Sequence, residues 1–376
     1  MKHTSLFCMA SLLAGLVGTG AAPAESQPAP AKPRIEVCFV LDTTGSMSGL
    51  IEGAKQKIWS IANEMIAAKP TPELRFGLIG YRDRGDEYVV KHFDLTGDID
   101  AIYGHLQGFR AGGGGDTPES VNEALQAAVR QMSWSEDRSV LKIVFLVGDA
   151  PPHMDYDGPK YPAICQEAVK KDLVINTVQC GGIAETGPIW REIASLAEGK
   201  YAAIAQSGNM AVVSTPMDAE LARLNRELGG TLVAYGRDDA RAAVMFKQAA
   251  SEAAPAAVAA DRLAFNAVGK VTVQGGGELL DSLASGKIKL AEVKKEELPQ
   301  ELRSLDEKGL KAEIDKRTQR RAEIQASIEK LNRERAEYLK AEQKRLADSS
   351  KADSFDEQVA LTLRSQAARK GINYGK

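Results

Sequence analysis

The sequence predicts an α/β chain. A doubly wound, mostly parallel sheet with helices on both faces is followed by a mainly α-helical C-terminal region with a long charged helix. Three observations predict it. Short, nearly unbroken apolar runs such as Ile35–Leu41 and Val140–Gly148 alternate with amphipathic stretches, as expected for parallel strands buried on both faces. Near residue 205 this alternation stops and helical spacing takes over. From Leu305 to Leu346 the chain is densely charged, with seam positions three and four residues apart.

Each element has its own justification. Ile35–Leu41 is apolar and rich in β-branched residues, so it reads as a strand. Leu50, Ala54, Ile58, Ile61 and Met65 fall at helical spacing within Leu50–Ala67. Leu74–Tyr81 is a second strand, and the more polar Tyr88–Leu95 reads as an edge strand. Ile99–Gly108 and Glu119–Met132 are helical. Val140–Gly148 and Leu173–Cys180 are strands, with a helix carrying Cys165 between them. Ile189–Ala197 is a helix and Lys200–Ala205 a last short strand. The layout is Rossmann-like, with ligand sites expected at the carboxyl ends of the strands, where the strand order reverses.

In the second half, Met217–Leu228 and Asp238–Glu252 are helical. Ala253–Ala260 fits helix or linker, Val271–Val273 a short strand, and Gly275-Gly276-Gly277 a hinge. The seam of the long helix runs through Leu310, Ile314, Arg317, Arg321, Ile324, Ile328, Leu331, Arg335 and Tyr338. Its arginines interrupt the apolar stripe that a self-paired coiled coil needs. At about 1.5 Å per residue this helix reaches roughly 60 Å. It suits a hairpin with a preceding helix, a partner or a stalk, or a solvated helix against its own domain. Phe355, Val359, Leu363 and Ala367 mark a terminal amphipathic helix over Phe355–Ala368. The expected organisation is residues 1–24 as a signal peptide, 25–34 as a linker, 35–205 as the α/β domain, 206–300 as a mainly helical region, and 301–376 as the long helix (a possible coiled coil) with its terminal helix.

Composition removes several functional classes. A net charge of −3 and a pI near 6.0 lack the basic excess of nucleic-acid binders. Four cysteines among 376 residues are too few for a disulfide scaffold. Cys38 sits in an apolar run as a buried thiol, and Cys165 and Cys180 lie on a helix and the following strand, apart from each other. At the N-terminus, Lys2 and His3, an apolar stretch from Leu6 to Val17 and Ala22-Pro23-Ala24 match the layout of an export signal. The apolar stretch falls short of the ~20 residues of a membrane span. The expected location is therefore periplasmic or secreted, with no transmembrane span in the mature chain.

The chemistry gathers after the strands. Leu41 is followed by Asp42-Thr43-Thr44-Gly45-Ser46, and side chains two apart in extended chain point the same way. Asp42, Thr44 and Ser46 thus offer three oxygens to one point. A second carboxylate, Asp149, follows Gly148 at the end of the most apolar strand. Between them lies Gly112-Gly113-Gly114-Gly115-Asp116-Thr117-Pro118-Glu119. Carboxylates and hydroxyls with room for water suit a hard divalent cation, Mg²⁺ or Mn²⁺. The alternative is helix capping by Ser46 or Ser48, and by Thr117 or Asp116. His153 stands four residues after Asp149, at the rim of such a site or as a surface or hydrogen-bonding histidine.

This set, in this order, resembles the von Willebrand factor type A (VWA) domain with its metal-ion-dependent adhesion site. The resemblance covers about residues 35–205. It implies that Asp42, Thr44, Ser46, Thr117 and Asp149 hold a divalent cation, Mg²⁺ first and Mn²⁺ or Ca²⁺ as alternatives, with an open position for a carboxylate of a protein partner. Asp116-x-Pro118-Glu119 departs from the commonest VWA loop. It is more similar to integrin β-subunit domains and to VWA domains fused to α-kinases. That type implies Glu119 as a ligand replacing or joining Thr117, and a neighbouring Ca²⁺ site on Asp83 and Asp116. The simpler reading of Asp83 is an ion pair with Arg82 or Arg84. A third site of the integrin type would need acidic residues after Ser46, where Met47-Ser48-Gly49-Leu50 stands.

Enzyme motifs are weak. No G-x-x-x-x-G-K-[ST], dinucleotide turn, nucleophile elbow or H-E-x-x-H is present. The expectation is a binding module and not an enzyme, with a scaffold acting through the helical region as the alternative and a metal-assisted hydrolase third.

Overall fold

The computed structural model describes residues 32–210, 212–347 and 354–374. The expected signal peptide and most of the expected linker lie outside the described residues. Six strands form one sheet in the order β3-β2-β1-β4-β5-β6. They are β1 (Arg34–Asp42), β2 (Glu73–Tyr81), β3 (Val90–Thr96), β4 (Leu141–Gly148), β5 (Leu173–Cys180) and β6 (Tyr201–Ile204). Every pairing is parallel except that of β3 with β2. The polar β3 is antiparallel and at the edge, where Lys91, His92 and Asp94 can face water.

Side chains alternate between two cores. Val37, Phe39 and Leu41 join Ile143, Phe145 and Val147 under α1 (Ser48–Ile66) and α2 (Ile99–Gly108). Cys38, Val40, Val144 and Leu146 face the other way, under α3 (Val121–Arg130), α4 (Tyr161–Lys170) and α5 (Thr186–Leu196). Cys38, Cys165 and Cys180 are buried free thiols.

After β6 the chain becomes helical: α6 (Asp218–Gly229), α7 (Asp238–Ala253), α8 (Ala256–Gly269), the short α9 (Leu279–Ala284) and α10 (Gln300–Arg303), the long α11 (Glu307–Ala347) and α12 (Phe355–Ala367). The Ala-rich segment after α7 is helix from Ala256 onward. Val271–Val273 forms no strand, contrary to the sequence expectation. Thr272 is instead held by side chains: its N–H donates to Asp281 Oδ2 at 2.6 Å, and its carbonyl accepts from Arg262 and Asn266. Gly275, Gly276 and Gly277 all adopt positive φ, which makes that turn accessible to glycine.

The seam of α11 is covered by its own chain. Ile324 and Ile328 pack with Leu221, Leu224, Leu228 and Leu263 of α6 and α8, and Ile314 lies in a separate cluster with Val233 and Leu280. Two of the seam arginines take carboxylates of other elements. Arg321 binds Glu278 and Asp281, and Arg335 binds Asp218 and Asp261. Arg262 of α8 similarly forks onto Asp100 of α2 at 2.6 and 2.9 Å.

The terminal helix α12 returns to the sheet. Phe355, Val359, Leu363 and Ala367 join the core shared with α1 and β4, and Phe355 meets the ring of Phe39 edge-on at 6.2 Å. Buried amides of Asn176 on β5 and Gln366 exchange hydrogen bonds. Phe355 N donates to Gly208 O at 3.0 Å, so the chain re-enters the α/β layer where it left. Phe355→Ala is expected to cost about 3–5 kcal/mol, the usual loss for a buried aromatic ring, measured as a lowered urea midpoint. A loss under 1 kcal/mol would remove α12 from the sheet's core. Among the described residues, no helix is long and apolar enough to cross a membrane.

Candidate metal centre

The neighbouring parallel strands β1 and β4 send their following helices, α1 and α4, to opposite faces. Their carboxyl ends therefore open a crevice at the switch point, and Asp42 and Asp149 stand there. Gly148 permits the close approach. A Cβ on it would lie 2.4 Å from the hydroxyl of Tyr81 and 2.9 Å from Asp42 Cβ.

The Asp42 carboxylate is half satisfied. Its Oδ1 accepts from Thr44 N at 2.8 Å and Thr44 Oγ1 at 2.6 Å. Its Oδ2 is buried with no hydrogen-bond partner. The hydroxyl of Ser46 is 3.4 Å from that of Thr44. Asp149 Oδ2 accepts from Gln206 Nε2 at 2.7 Å, and its loop is clamped by Thr186 Oγ1 and Trp190 Nε1 donating to the carbonyls of Asp149 and Ala150.

The glycine-rich loop closes the third side. Gly112 N donates to Thr43 O, and Gly45 N to Gly113 O. Gly113, at φ +77, folds over Asp86, and a Cβ there would lie 2.3 Å from that carboxylate. Asp86 also accepts from Gly114 N at 3.1 Å and Asp83 N at 3.2 Å. Glu119 N donates to Pro151 O, and His153 N to Glu119 O. These bonds stitch the loop to the segment after β4.

Thr117 and Glu119 have different surroundings. Thr117 is exposed on the cleft lining, whereas Glu119 is buried. Glu119 Oε2 has no hydrogen-bond partner. Thr44, Ser46, Thr117, Glu119 and Asp149 line one open cleft of about 250 Å³, with Asp116 at its edge, and Asp42 is buried beside it. The hydroxyls are not helix caps. Neither the turn at Gly45–Met47 nor α1 has a side-chain cap, and the N-cap of α3 is Ser120, whose hydroxyl donates to Asp83 instead.

Electrostatics mark the cleft as short of positive charge. Burial, with a smaller push from Asp149 and against the Thr44 hydrogen bonds, raises the Asp42 carboxyl to about 7. Burial and then the charges of Asp42, Asp83, Asp86 and Asp149 raise Glu119 to about 9. Burial and then the charges of Asp42, Glu119 and Asp149 push the Tyr81 phenol well up. Two orphaned carboxylate oxygens beside a third carboxylate and two hydroxyls fit a hard dication.

The expected ion pair of Asp83 with Arg82 or Arg84 does not form. Arg82 turns to Glu87, Thr43 O and Arg110 O, and Arg84 to Glu123. Asp83 is instead buried, accepting from Ser120 Oγ at 2.9 Å and Tyr156 OH at 2.8 Å. His153 is buried against it, 3.4 Å from Asp83 Oδ2. Two residues escaped the sequence reading. Gln206, a residue beyond the last strand, carries no local motif. Asp86 had only the turn signal Arg84-Gly85-Asp86.

Residues 36–215 match the family model described as von Willebrand factor A domain. The chain thus carries a VWA domain. It is 32% identical over 120 residues to von Willebrand factor A domain-containing protein 7 of Homo sapiens, covering 32% of this chain and 12% of that protein. It is 27% identical over 148 residues to alpha-protein kinase vwkA of Dictyostelium discoideum, covering 38% and 23% respectively. The chain spans less than a quarter of the length of the curated relatives it matches. Among solved structures, it is similar to proximal thread matrix protein 1 of the mussel byssus with a zinc-occupied MIDAS motif. That match has 19% identity and a TM-score of 0.37, over 46% of this chain and 42% of that one.

Proposed function

We propose that the chain is an exported, metal-dependent protein-binding module. In this reading Asp42, Thr44, Ser46 and Asp149 hold a divalent cation, Mg²⁺ in the first instance and Mn²⁺ or Ca²⁺ as alternatives. Glu119 is the buried ligand of the glycine-rich loop, and Thr117 stands at the lip. The open coordination position takes a carboxylate from a protein partner. The observation that carries this reading is the pair of buried, unpartnered oxygens Asp42 Oδ2 and Glu119 Oε2 beside an open cleft. A buried, unpaired carboxylate is costly, and a cation removes the cost.

The charge balance favours binding over turnover. With Asp42 and Asp149 as its only ionised ligands, a dication is neutralised yet still accepts another carboxylate. Ligation by Glu119, which gives up its proton to bind, makes the site anionic, tightening the metal and weakening its pull on an acidic partner. Export is supported by the basic, apolar and Ala22-Pro23-Ala24 layout of the N-terminus.

A pull-down from the native envelope tests the proposal. Capture in Mg²⁺ is expected to fall at least tenfold in EDTA or with Asp42→Ala, while circular dichroism stays unchanged. Capture that ignores both changes would sink the reading and point to the helical region as a scaffold. Turnover in a substrate screen with Mg²⁺ or Mn²⁺ would point to hydrolysis.

A further inference from the structure

Three loops meet beside the cleft and bring together Asp83, Asp116 and His153. One ligand-capable atom of each lies within 4.8 Å of the other two. His153 Nε2 is 3.4 Å from Asp83 Oδ2 and 3.7 Å from Asp116 Oδ2. Its side chain is 7% exposed, and Nε2 is buried with no hydrogen-bond partner.

The other ring nitrogen fixes the tautomer. His153 Nδ1 lies 2.9 Å from Asp155 Oδ1. An ionised carboxylate only accepts, so Nδ1 donates to Asp155 and Nε2 is the ring nitrogen left to take a cation. Nε2 faces two carboxylates. Asp83 Oδ1 accepts from Ser120 Oγ, and Oδ2, the oxygen nearest the ring, accepts from Tyr156 OH and has a second lone pair. The ring is held in place, stacked on Tyr156 at 3.8 Å and 10°. Arg84 packs over Tyr156 at 4.0 Å but is committed to Glu123 at 2.8 Å.

We propose that Asp83, Asp116 and His153 form a second cation site, distinct from the Asp42 cleft and selective for Zn²⁺ over Ca²⁺. The VWA resemblance implied an all-oxygen calcium site on Asp83 and Asp116. The inward-facing imidazole changes the donor set, since nitrogen favours zinc and other transition ions. Asp155 behind the ring is the carboxylate–histidine arrangement that orients and strengthens such a ligand. Asp116, 64% exposed, leaves solvent a path to the remaining coordination position. Bound there, the ion ties together the loops after β2 and β4 and the glycine-rich loop.

The test uses the full chain carrying Asp42→Ala, which disables the first cleft and makes the result independent of its function. Zn²⁺ is titrated by calorimetry, and Co²⁺ is followed by its visible absorption. One equivalent of Zn²⁺ is expected, bound at least tenfold more tightly than Ca²⁺. His153→Gln is expected to weaken Zn²⁺ at least tenfold and to change the Co²⁺ spectrum. Asp116→Asn, at an exposed position that keeps the fold, is expected to weaken it likewise. Undiminished Zn²⁺ binding in the Asp116→Asn chain, or Ca²⁺ binding more tightly than Zn²⁺, would overturn the site.

Discussion

Without metal, the protein is expected to lose stability as the pH rises from about 5 to 9, and a divalent cation is expected to offset part of the loss. The folded chain holds the Asp42 carboxyl at about 7 and Glu119 at about 9, against ordinary values of 3.8 and 4.5. Between those limits the native state retains protons that the unfolded chain has released. The unfolded state therefore gains on the native one as the pH rises. The contribution is fully present below the ordinary carboxyl range and is lost through the raised folded values. Mg²⁺ replaces the protons, so its binding tightens with pH and releases protons. At a hundredfold excess over its dissociation constant, the ion adds about 2.7 kcal/mol. Thermal melts from pH 5 to 9, in EDTA and in Mg²⁺, read this directly. Asp42→Asn should remove the Mg²⁺ increment and make the EDTA profile shallower, with the slope due to Glu119 remaining. A wild-type profile already flat in EDTA would mean that these carboxylates are not crowded in the folded chain.

Arg321→Leu is expected to destabilise the chain by roughly 3–5 kcal/mol, the cost of stranding a buried charge. Arg321 forks onto both oxygens of Glu278 at 2.8 and 3.0 Å, reaches Asp281 Oδ1 at 2.9 Å, and donates to Thr231 Oγ1 and O. Glu278 is 1% exposed. Without the guanidinium it keeps only the N–H groups of Val233 and Asp281. It also faces Asp281, whose carboxyl burial already pushes up. Lysine should restore little, because a point charge cannot span the fork. Arg321→Leu combined with Glu278→Leu should recover most of the loss, since an apolar pair of similar volume removes both the attraction and the desolvation. Urea unfolding of the three variants measures this. A single-variant cost below 1 kcal/mol would make the pair a surface ornament.

The strands and the cleft were legible because both follow from local rules. A strand buried on both faces must read as an apolar run, and Asp42, Thr44, Ser46 and Asp149 are conspicuous for following two such runs. What escaped depends on partners distant in sequence. The repeat of Phe355, Val359, Leu363 and Ala367 shows an apolar stripe, but any apolar surface could cover it. Only the folded chain selects Phe39 and the β4 face. Arg321 and Arg335 were visible as interruptions of a seam, yet their carboxylates lie on α6, α8, α9 and the turn before α9. Val271–Val273 has strand composition, but Asp281, Arg262 and Asn266 satisfy the backbone of Thr272, and no neighbouring strand offers a ladder. Asp83 sits between two arginines in sequence, and both point elsewhere because Glu87, Glu123 and free carbonyls are nearer to hand.

The hydrogen bond from Phe355 N to Gly208 O makes the helical region a side loop on a grand scale. The helices α6 to α11 lie in sequence between Gly208 and Phe355, which this bond brings together, so the α/β domain is discontinuous along the chain. Its natural unit is 32–208 joined to 355–374, and a cut after residue 205 would strip a cover from the sheet. The closing helix therefore belongs to the domain it seals, while α8 anchors the helical region to the same domain through Arg262 and Asp100.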